Sequence, residues 1–303
     1  MSILEIKNLS KKFGDYHLIK DVTFSVPEGS IFGFIGVNGA GKTTTMKMIL
    51  GLLASDEGEI YVCGEKVTYG ATKTNRHIGF LPDVPEFYGY MKPKEYLHLC
   101  GEIVGLSPSM VKKRTSELLT LVGLADVNRK ISGFSRGMRQ RLGMAQALLN
   151  EPKLLICDEP TSALDPMGRK EILDILLAIK GRTTVIFSTH ILSDVERVCD
   201  QIAVLNGGEI VLSGTLGEIQ TEHRMDQLLI EFATAEDKAR FANLEKDFTE
   251  GVAWEDLQVT LCTTDLQGSQ RKILRFLAEQ DILPKRVQVL EPNLENLFME
   301  VVR

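Results

Sequence analysis

Residues 36–44 read GVNGAGKTT and fit the pattern G-x-x-x-x-G-K-[ST]. Backbone N–H groups of such a glycine-rich loop can surround phosphates, the Lys42 ammonium can lie at the β- and γ-phosphates, and the Thr43 hydroxyl can bind Mg²⁺. The loop follows an apolar run, IFGFI, and precedes a helical pattern that continues to about Leu53. We therefore predict a nucleoside triphosphate site. Its candidate phosphate-binding residues are Gly36, Asn38, Gly39, Ala40, Gly41, Lys42, Thr43 and Thr44.

Two carboxylates follow the apolar run LLIC in the stretch LLICDEP. Asp158 would lie at the end of a buried strand, where it can hold Mg²⁺ or its water shell, and Glu159 can polarise a water for attack on the γ-phosphate. The strand-like run TTVIFSTH ends at His190, which can donate to the γ-phosphate from a comparable place. A solvated turn and a structural histidine are the alternative interpretations. Beside a P-loop, the two carboxylates are favoured as metal ligand and base, while both interpretations of His190 stay open at this point. The candidate catalytic residues are Lys42, Glu159 and His190, and the absence of the N-K-x-D pattern that reads guanine favours an NTPase other than a GTPase.

A second candidate phosphate site lies in the stretch FSRGM, residues 134–138. It precedes a helical pattern, and the Ser135 hydroxyl and the exposed amides around Gly137 can bind an anion at a helix N-terminus. A serine that only caps its own helix is the alternative. The chain would then have two phosphate sites but a single P-loop.

The elements that must position these residues follow from the hydrophobic periodicity. Strand, loop and helix alternate up to about residue 215, which favours a largely parallel α/β core. Antiparallel hairpins near the start and a mostly helical insert over residues 93–150 would flank it. Shorter strands and helices follow, with helices near 237–246 and 268–280 and a last helix. We predict an ATPase domain at 1–215 and a small α+β domain at 216–303.

Composition narrows the function classes. No apolar stretch approaches the ~20 residues that a membrane span needs. The net charge is −6, and residues 215–303 hold 10 Lys+Arg against 17 Asp+Glu, so the basic stripe typical of nucleic-acid binding is absent. Five scattered cysteines without a C-x-x-C pattern predict reduced thiols instead of disulfides or a metal site. We expect no nucleic-acid partner.

The order of P-loop, FSRGM, LLICDEP, SALD and STH resembles the ATP-binding cassette (ABC) ATPases over residues 1 to about 215. The resemblance implies a P-loop core with an antiparallel β-subdomain and a helical subdomain, and ATP and Mg²⁺ as cofactors. It also implies that two copies pair head to tail, so that FSRGM, the signature stretch of one copy, closes over the nucleotide of the other. That pairing would explain the second phosphate site.

Residue by residue, the resemblance places Ser135 and Gly137 at the signature serine and glycine and gives the two carboxylates the roles described above. Asp165 of SALD falls on the loop that links the two sites, and His190 on the switch histidine. Phe13 in KKFG falls on the aromatic residue that stacks on adenine, with a core phenylalanine as the alternative.

Two motifs depart from the family pattern, at three residues. The usual signature is L-S-G-G-Q, whereas this chain has Arg136 in place of a glycine and Met138 in place of the glutamine. The usual glutamine after IGFLP is Asp83, a shorter, anionic side chain that can still bind Mg²⁺ or its water. The predicted metal ligands are Thr43, Asp83 and Asp158.

The stretch SRGMRQRLGMAQALL and the ending EPNLENLFMEVV resemble ATPase subunits of bacterial exporters of antibiotics, sodium or lipids. This implies a cytoplasmic ATP-hydrolysing subunit, peripheral on the inner face of the membrane, that powers a separate permease. Phe87, Tyr88 and Tyr90 could form its docking surface or belong to the helical core. The alternatives are a soluble ABC mechanoenzyme acting on nucleic acid or ribosomes, and an importer ATPase with a regulatory C-terminal domain.

Overall fold

The computed structural model describes residues 2–71, 73–222, 226–242, 251–263, 265–290, 294 and 297–298. The chain divides into two compact units, with the boundary between Leu216 and Gly217. The functional assignment of the two units as an ATPase domain and an accessory domain remains a prediction.

The core of the first unit is a mainly parallel sheet. Its strands are β3 (Ile31–Ile35), β6 (Ile78–Leu81), β7 (Leu154–Asp158), β8 (Thr184–Thr189), β9 (Gln201–Asn206) and β10 (Glu209–Thr215). The strand order is β10-β9-β3-β8-β7-β6, and only the β9–β10 hairpin among these described pairs is antiparallel. Strands β3, β7 and β8 are buried along their whole length, as parallel strands covered on both faces should be. Their carboxyl ends therefore meet at one edge of the sheet.

An antiparallel sheet packs against this core. Its strands are β1 (Ser2–Phe13), β2 (Tyr16–Pro27), β4 (Glu57–Val62) and β5 (Glu65–Lys66), in the order β2-β1-β4-β5. The Phe24 ring of β2 stacks on Phe32 and Phe34 of β3, with ring centroids 5.4 and 5.3 Å apart. One hydrophobic core thus joins the two sheets and fixes the β1–β2 hairpin beside the glycine-rich loop.

Helices follow the parallel strands or form a separate subdomain. Those that follow strands are α1 (Lys42–Ile49), α5 (Pro166–Ile179) and α6 (Leu192–Val198). The helical subdomain contains α2 (Pro93–Ile103), α3 (Pro108–Leu121) and α4 (Arg136–Ala147), with 3₁₀ turns at Lys73–His77 and Ile131–Gly133. The predicted ABC-type core with its antiparallel β-subdomain and helical subdomain is confirmed.

Helix α1 ends earlier than the sequence pattern predicted. The helix stops at Ile49, before Leu53, because Gly51 adopts a left-handed φ of 68°. The Gly51 N–H bonds to Met48 O and the Leu52 N–H to Lys47 O, which satisfies the last carbonyls of the helix.

The second unit begins within helix α7 (Leu216–Glu222). Its elements are β11 (Asp226–Glu231), α8 (Ala235–Ala242), β12 (Gly251–Glu255), β13 (Gln258–Thr263), α9 (Leu266–Glu279) and β14 (Arg286–Leu290). The strands are antiparallel in the order β12-β13-β11-β14, and the βαββαβ succession is that of a ferredoxin-like unit.

Its core is closed by apolar residues of β11 and β13 against α8 and α9, including Ile230, Val259, Phe241 and Ile273. The prediction of a small α+β fold is confirmed. The predicted last helix, and the end of the helix predicted near 237–246, lie largely outside the described residues. Across the described part of the chain, no helix has the length and apolar character needed to span a bilayer.

Candidate active site

The glycine-rich loop connects β3 to α1 and folds back over Lys42. Gly41, at the N-cap of α1, has a φ of 110°, and a Cβ there would lie 2.4 Å from Cδ1 of Ile19, so glycine is required at this position. The buried Lys42 donates from Nζ to the carbonyl oxygens of Gly36 at 2.7 Å and Val37 at 3.3 Å. The loop therefore holds the lysine charge beside the backbone that is predicted to bind phosphate.

The ends of β7 and β8 bring an oxygen-rich cluster to the start of α1. Thr43 donates from Oγ1 to Oδ2 of Asp158 at 2.8 Å, and Ser188 donates from Oγ to Oδ1 of the same carboxylate at 2.7 Å. Ser188 also accepts a hydrogen bond from the Glu159 N–H at 2.9 Å. Sequence reasoning missed Ser188, although its place as the serine of STH at the end of a buried strand was a usable signal.

This cluster fits Mg²⁺. Hydroxyl and carboxylate oxygens are the hard ligands that Mg²⁺ prefers, and this ion is usually held by one or two protein groups together with substrate phosphates. Thr43 and Asp158 provide two such oxygens in direct contact. The thiol of neighbouring Cys157 does not compete as a thiolate, because burial and the nearby Asp158 charge raise its pKa.

Glu159 is held by both of its carboxylate oxygens. Oε1 lies 3.2 Å from Nζ of Lys42, and Oε2 lies 2.9 Å from Nδ1 of His190. Its backbone has a φ of 47°, which is unusual for a residue other than glycine and is typical of functional sites. The structure thus brings the three predicted catalytic residues into one connected group, with the Glu159 carboxylate beside the lysine of the glycine-rich loop.

Phe13 lies at the end of β1 and forms a cross-strand pair with Tyr16 in the β1–β2 hairpin. Its side chain is half-exposed, which argues against the core interpretation, and Lys11 Nζ lies 5.5 Å from the ring centroid. An exposed ring on a fixed hairpin is free to stack on a planar base.

The signature residues lie in a different cleft, of about 430 Å³, together with the SALD loop. Ser135 caps α4 by accepting the Met138 N–H at 3.3 Å, and Asp165 caps α5 by accepting the Gly168 N–H at 3.2 Å. Gly137 lines the same cleft. Within the described residues, no hydrogen bond or ion pair connects this cleft to the P-loop. The structure therefore groups Ser135, Gly137 and Asp165 together and apart from the P-loop contacts.

Asp83 is placed with this second group. Its Oδ1 lies 3.0 Å from Nη2 of Arg136, and its backbone oxygen accepts from Nε2 of Gln140 at 3.1 Å. Two of the three residues that depart from the family pattern, Asp83 and Arg136, therefore contact each other. The role of Asp83 as a third metal ligand, beside Thr43 and Asp158, remains a prediction.

Comparison with known proteins places the chain in a family. A family model described as "ABC transporter" matches residues 19–162. The uncharacterized ABC transporter ATP-binding protein YxlF of Bacillus subtilis is 36% identical over 302 residues, which cover 99% of both chains. This chain belongs to the ABC transporter ATP-binding proteins. The bacitracin transport ATP-binding protein BcrA of Bacillus licheniformis is 33% identical, over 99% of this ABC ATPase and 97% of BcrA. The linearmycin resistance ATP-binding protein LnrL of Bacillus subtilis is 32% identical, over 99% and 98% of the two chains.

Solved structures agree with the fold of this ABC ATPase. The ATP-binding subunit of an ABC transporter matches with a TM-score of 0.66 and 34% identity, over 73% of this chain and 93% of the other. A dimeric, post-hydrolysis ATP-binding cassette bound to ADP and Pi matches with a TM-score of 0.63 and 28% identity, over 70% and 98%. The protein is an ATP-binding, ATP-hydrolysing ABC subunit. The roles of individual site residues remain predictions.

Proposed function

We propose that this ABC ATPase powers an exporter by hydrolysing Mg-ATP and driving a separate membrane permease. The observation that carries the ATPase chemistry is the connected group at the strand ends. There Thr43 contacts Asp158 at 2.8 Å, and Glu159 lies between Lys42 and His190. In this proposal Thr43 and Asp158 hold Mg²⁺, which neutralises phosphate charge when bound, and Glu159 accepts the proton of the attacking water.

The exporter assignment is supported by relatives aligned over nearly the whole chain, including the second unit. Two of them carry the names bacitracin transport and linearmycin resistance ATP-binding protein. We therefore propose that the transported compound belongs to the antibiotics, the class named for these two relatives.

Two copies of the chain work together in the proposed mechanism. The cleft of Ser135, Gly137 and Asp165 has no described hydrogen bond or ion pair to the P-loop of its own chain, so a nucleotide held by a second copy is its proposed ligand. ATP then joins the two copies head to tail, and hydrolysis separates them.

The proposed permease surface is a groove of about 710 Å³ between β6 and the helical subdomain. Phe87 packs edge-on against Tyr96 with centroids 5.1 Å apart, while Tyr88 and Tyr90 stack at 5.9 Å and are 55% and 71% exposed. Burial raises the pKa of the Tyr96 hydroxyl, which donates to Oε1 of Gln146. A rigid, exposed aromatic rim beside a groove suits an inserted helix of the permease, at the inner face of the membrane.

Photocrosslinking tests this surface. Benzoylphenylalanine at position 90 should capture a multi-spanning membrane protein from intact cells, identified by mass spectrometry. Position 69 is the matched control, because Tyr69 is similarly exposed at 65%, whereas only Tyr90 stacks on Tyr88, a residue that lines the groove. Capture of ribosomal protein or nucleic acid at position 90 would favour the mechanoenzyme alternative, and equal capture of the membrane protein at both positions would refute the assignment of this surface.

Export is tested by drug sensitivity. Deleting the gene should lower the inhibitory concentration of at least one compound in a panel of bacitracin, linearmycin and related membrane-active agents. The wild-type gene should restore resistance, and a Glu159→Gln version should not. A growth defect that is cured by an added nutrient, with unchanged drug sensitivity, would point to an importer.

A further inference from the structure

The ion pair between Arg136 and Asp83 joins the signature stretch to the loop after β6. The two side chains, 53 positions apart in the chain, meet at 3.0 Å and are 42% and 46% exposed. Each replaces an uncharged residue of the family pattern. A cation and an anion introduced at these two positions and found in contact indicate a shared electrostatic role.

Arg136 occupies an unusual position for a cation. It is the first residue of α4, directly after the cap Ser135, and the first turn of this helix contains no acidic residue. The N-terminus of a helix carries partial positive charge, so a guanidinium there gains nothing from its own helix and depends on an anion from elsewhere. Asp83 is the anion that the chain itself provides.

The cleft in front of Arg136 is the one assigned above to a second copy's nucleotide. Arg136 lines it together with Ser135, Gly137 and Asp165. A guanidinium can bind phosphate oxygens through two parallel hydrogen bonds, whereas an ion pair between exposed side chains is weak. A triphosphate brought into this cleft would therefore compete well with Asp83 for the arginine.

The loop that carries Asp83 is anchored independently of this ion pair. Gln140, buried on α4, donates to the Asp83 backbone oxygen at 3.1 Å. Movement of the Arg136 side chain would therefore leave the Asp83 loop bound to the same helix, ready to receive the arginine again. Exchange requires rotation of one side chain and no rearrangement of the backbone.

We propose that Arg136 is a phosphate-binding residue that exchanges partners, pairing with Asp83 in the separate chain and with the triphosphate held by the second copy in the closed dimer. The inference rests on the proposed head-to-tail dimer. Asp83 then acts as a competitor that restrains dimer closure. Loss of Asp83 and loss of Arg136 must have opposite effects, which a static tether between two loops does not predict.

The experiment measures the ATP concentration at which the full chain dimerises. All chains carry Glu159→Gln to prevent hydrolysis, and the dimer fraction is read by analytical sedimentation over an ATP titration at saturating Mg²⁺. Arg136→Ala should raise the midpoint about tenfold, which corresponds to ~1.4 kcal/mol, and Arg136→Lys should raise it less. Asp83→Asn should lower the midpoint severalfold. In the two Arg136 variants, the affinity of the monomer for a fluorescent ATP analogue should stay unchanged, because Arg136 does not serve its own P-loop.

A charge swap and a matched control sharpen the result. The double variant Asp83→Arg, Arg136→Asp restores an ion pair but leaves no cation at position 136. The ATP concentration at which it half-dimerises should therefore stay as high as for Arg136→Ala. Arg197→Ala removes a comparable pair, Arg197 with Asp174 at 2.8 Å and side-chain exposures of 41% and 50%, and should leave the midpoint unchanged.

Four outcomes overturn the assignment. If both single substitutions raise the midpoint and the swap restores it, the pair is a static tether. If Asp83→Asn raises the midpoint equally with and without Arg136→Ala, Asp83 serves the metal and not Arg136. If the dimer forms normally in every variant, the proposed role of Arg136 is refuted and the head-to-tail dimer stands. If the Glu159→Gln parent itself does not dimerise with ATP, the proposed head-to-tail function is refuted as well.

Discussion

The N-termini of helices α1 and α4 are both suited to bind phosphate, but their surroundings differ. At α1, Lys42 and Thr43 contact Glu159 and Asp158 at the end of β7. At α4, Ser135 caps its own helix and the adjacent arginine pairs with a loop aspartate. One helix end has the proposed base and the proposed metal-binding pair beside it, and the other offers candidate phosphate contacts without them. The difference favours a site divided between two copies, in which one copy provides the groups for hydrolysis at its α1 end and the other provides the phosphate contacts that close the dimer at its α4 end.

The largest effect, on ATP turnover, should come from removing the proposed base, Glu159, beside the N-terminus of α1. Glu159→Gln should reduce ATP turnover by about 10²–10⁴-fold while ATP binding persists, because a positioned general base contributes about that much. Steady-state phosphate release and sizing in ATP provide the measurement, and a closed ATP-bound dimer should accumulate. Glu117→Gln, an exposed carboxylate of α3, is the control. Turnover near that of wild type would remove Glu159 from its role.

A smaller loss of ATP turnover should come from replacing Ser188, the proposed positioning residue for the carboxylate of the proposed metal ligand Asp158. Ser188→Ala removes the 2.7 Å hydrogen bond to Oδ1 of Asp158 and the acceptor of the Glu159 N–H. A hydrogen bond to a charged group is worth about 1.5–3 kcal/mol, so turnover should fall roughly 10- to 100-fold and the Mg²⁺ requirement should rise. The readout is a Mg²⁺ titration of ATPase activity.

Thr184→Val is the matched control for Ser188→Ala. Thr184 is equally buried at the opposite end of β8, where its hydroxyl accepts the Gly29 N–H. An equal loss of activity in both variants, with an unchanged Mg²⁺ requirement, would show that β8 stability is being measured instead of metal positioning.

The smallest effect, on the affinity for Mg-ATP, should come from removing the second unit. Deleting residues 223–303 should change the affinity for Mg-ATP by less than about threefold, because the residues of both helix ends precede the boundary at Leu216. Circular dichroism establishes folding, and a fluorescent ATP analogue reports binding. A folded, truncated chain that does not bind Mg-ATP would refute the independence of the first unit.

The α1 end was predictable from sequence because its signals are local. The P-loop pattern, the buried strand that ends at Asp158 and the buried strand that ends directly before His190 fix which residues meet at the sheet edge. The α4 end was predictable only in part. The Asp83–Arg136 contact depends on how α4 packs beside the loop after β6, and no local pattern encodes that packing.

The second unit shows a similar limit. Strand β12, GVAWE, was missed because it is short and places Gly251 and Ala253 on one face, so its alternation is weak. Its pairing with β13 supplies the missing information, since Trp254 lies opposite Val259 and Val252 opposite Leu261. A neighbouring strand thus stabilises a segment whose own sequence gives little indication of it.

The divided site is tested most directly by mixing two defective chains. Lys42→Ala disables the α1 end and Ser135→Arg disables the α4 end, and each variant alone should fail to trap ATP as a homodimer. In a mixed dimer both lesions can fall on one site, which leaves the other site with an intact Lys42 from one chain and an intact Ser135 from its partner. All chains carry Glu159→Gln, so that trapped ATP is not hydrolysed.

The measurement is retention of labelled ATP by the mixture after rapid gel filtration, with differently tagged chains to demonstrate mixed dimers. A divided site predicts that mixing restores occluded ATP, at up to one site per mixed dimer, while each variant alone retains none. No recovery in a sample where mixed dimers are shown to form would mean that the signature stretch serves its own chain, and it would contradict the divided site.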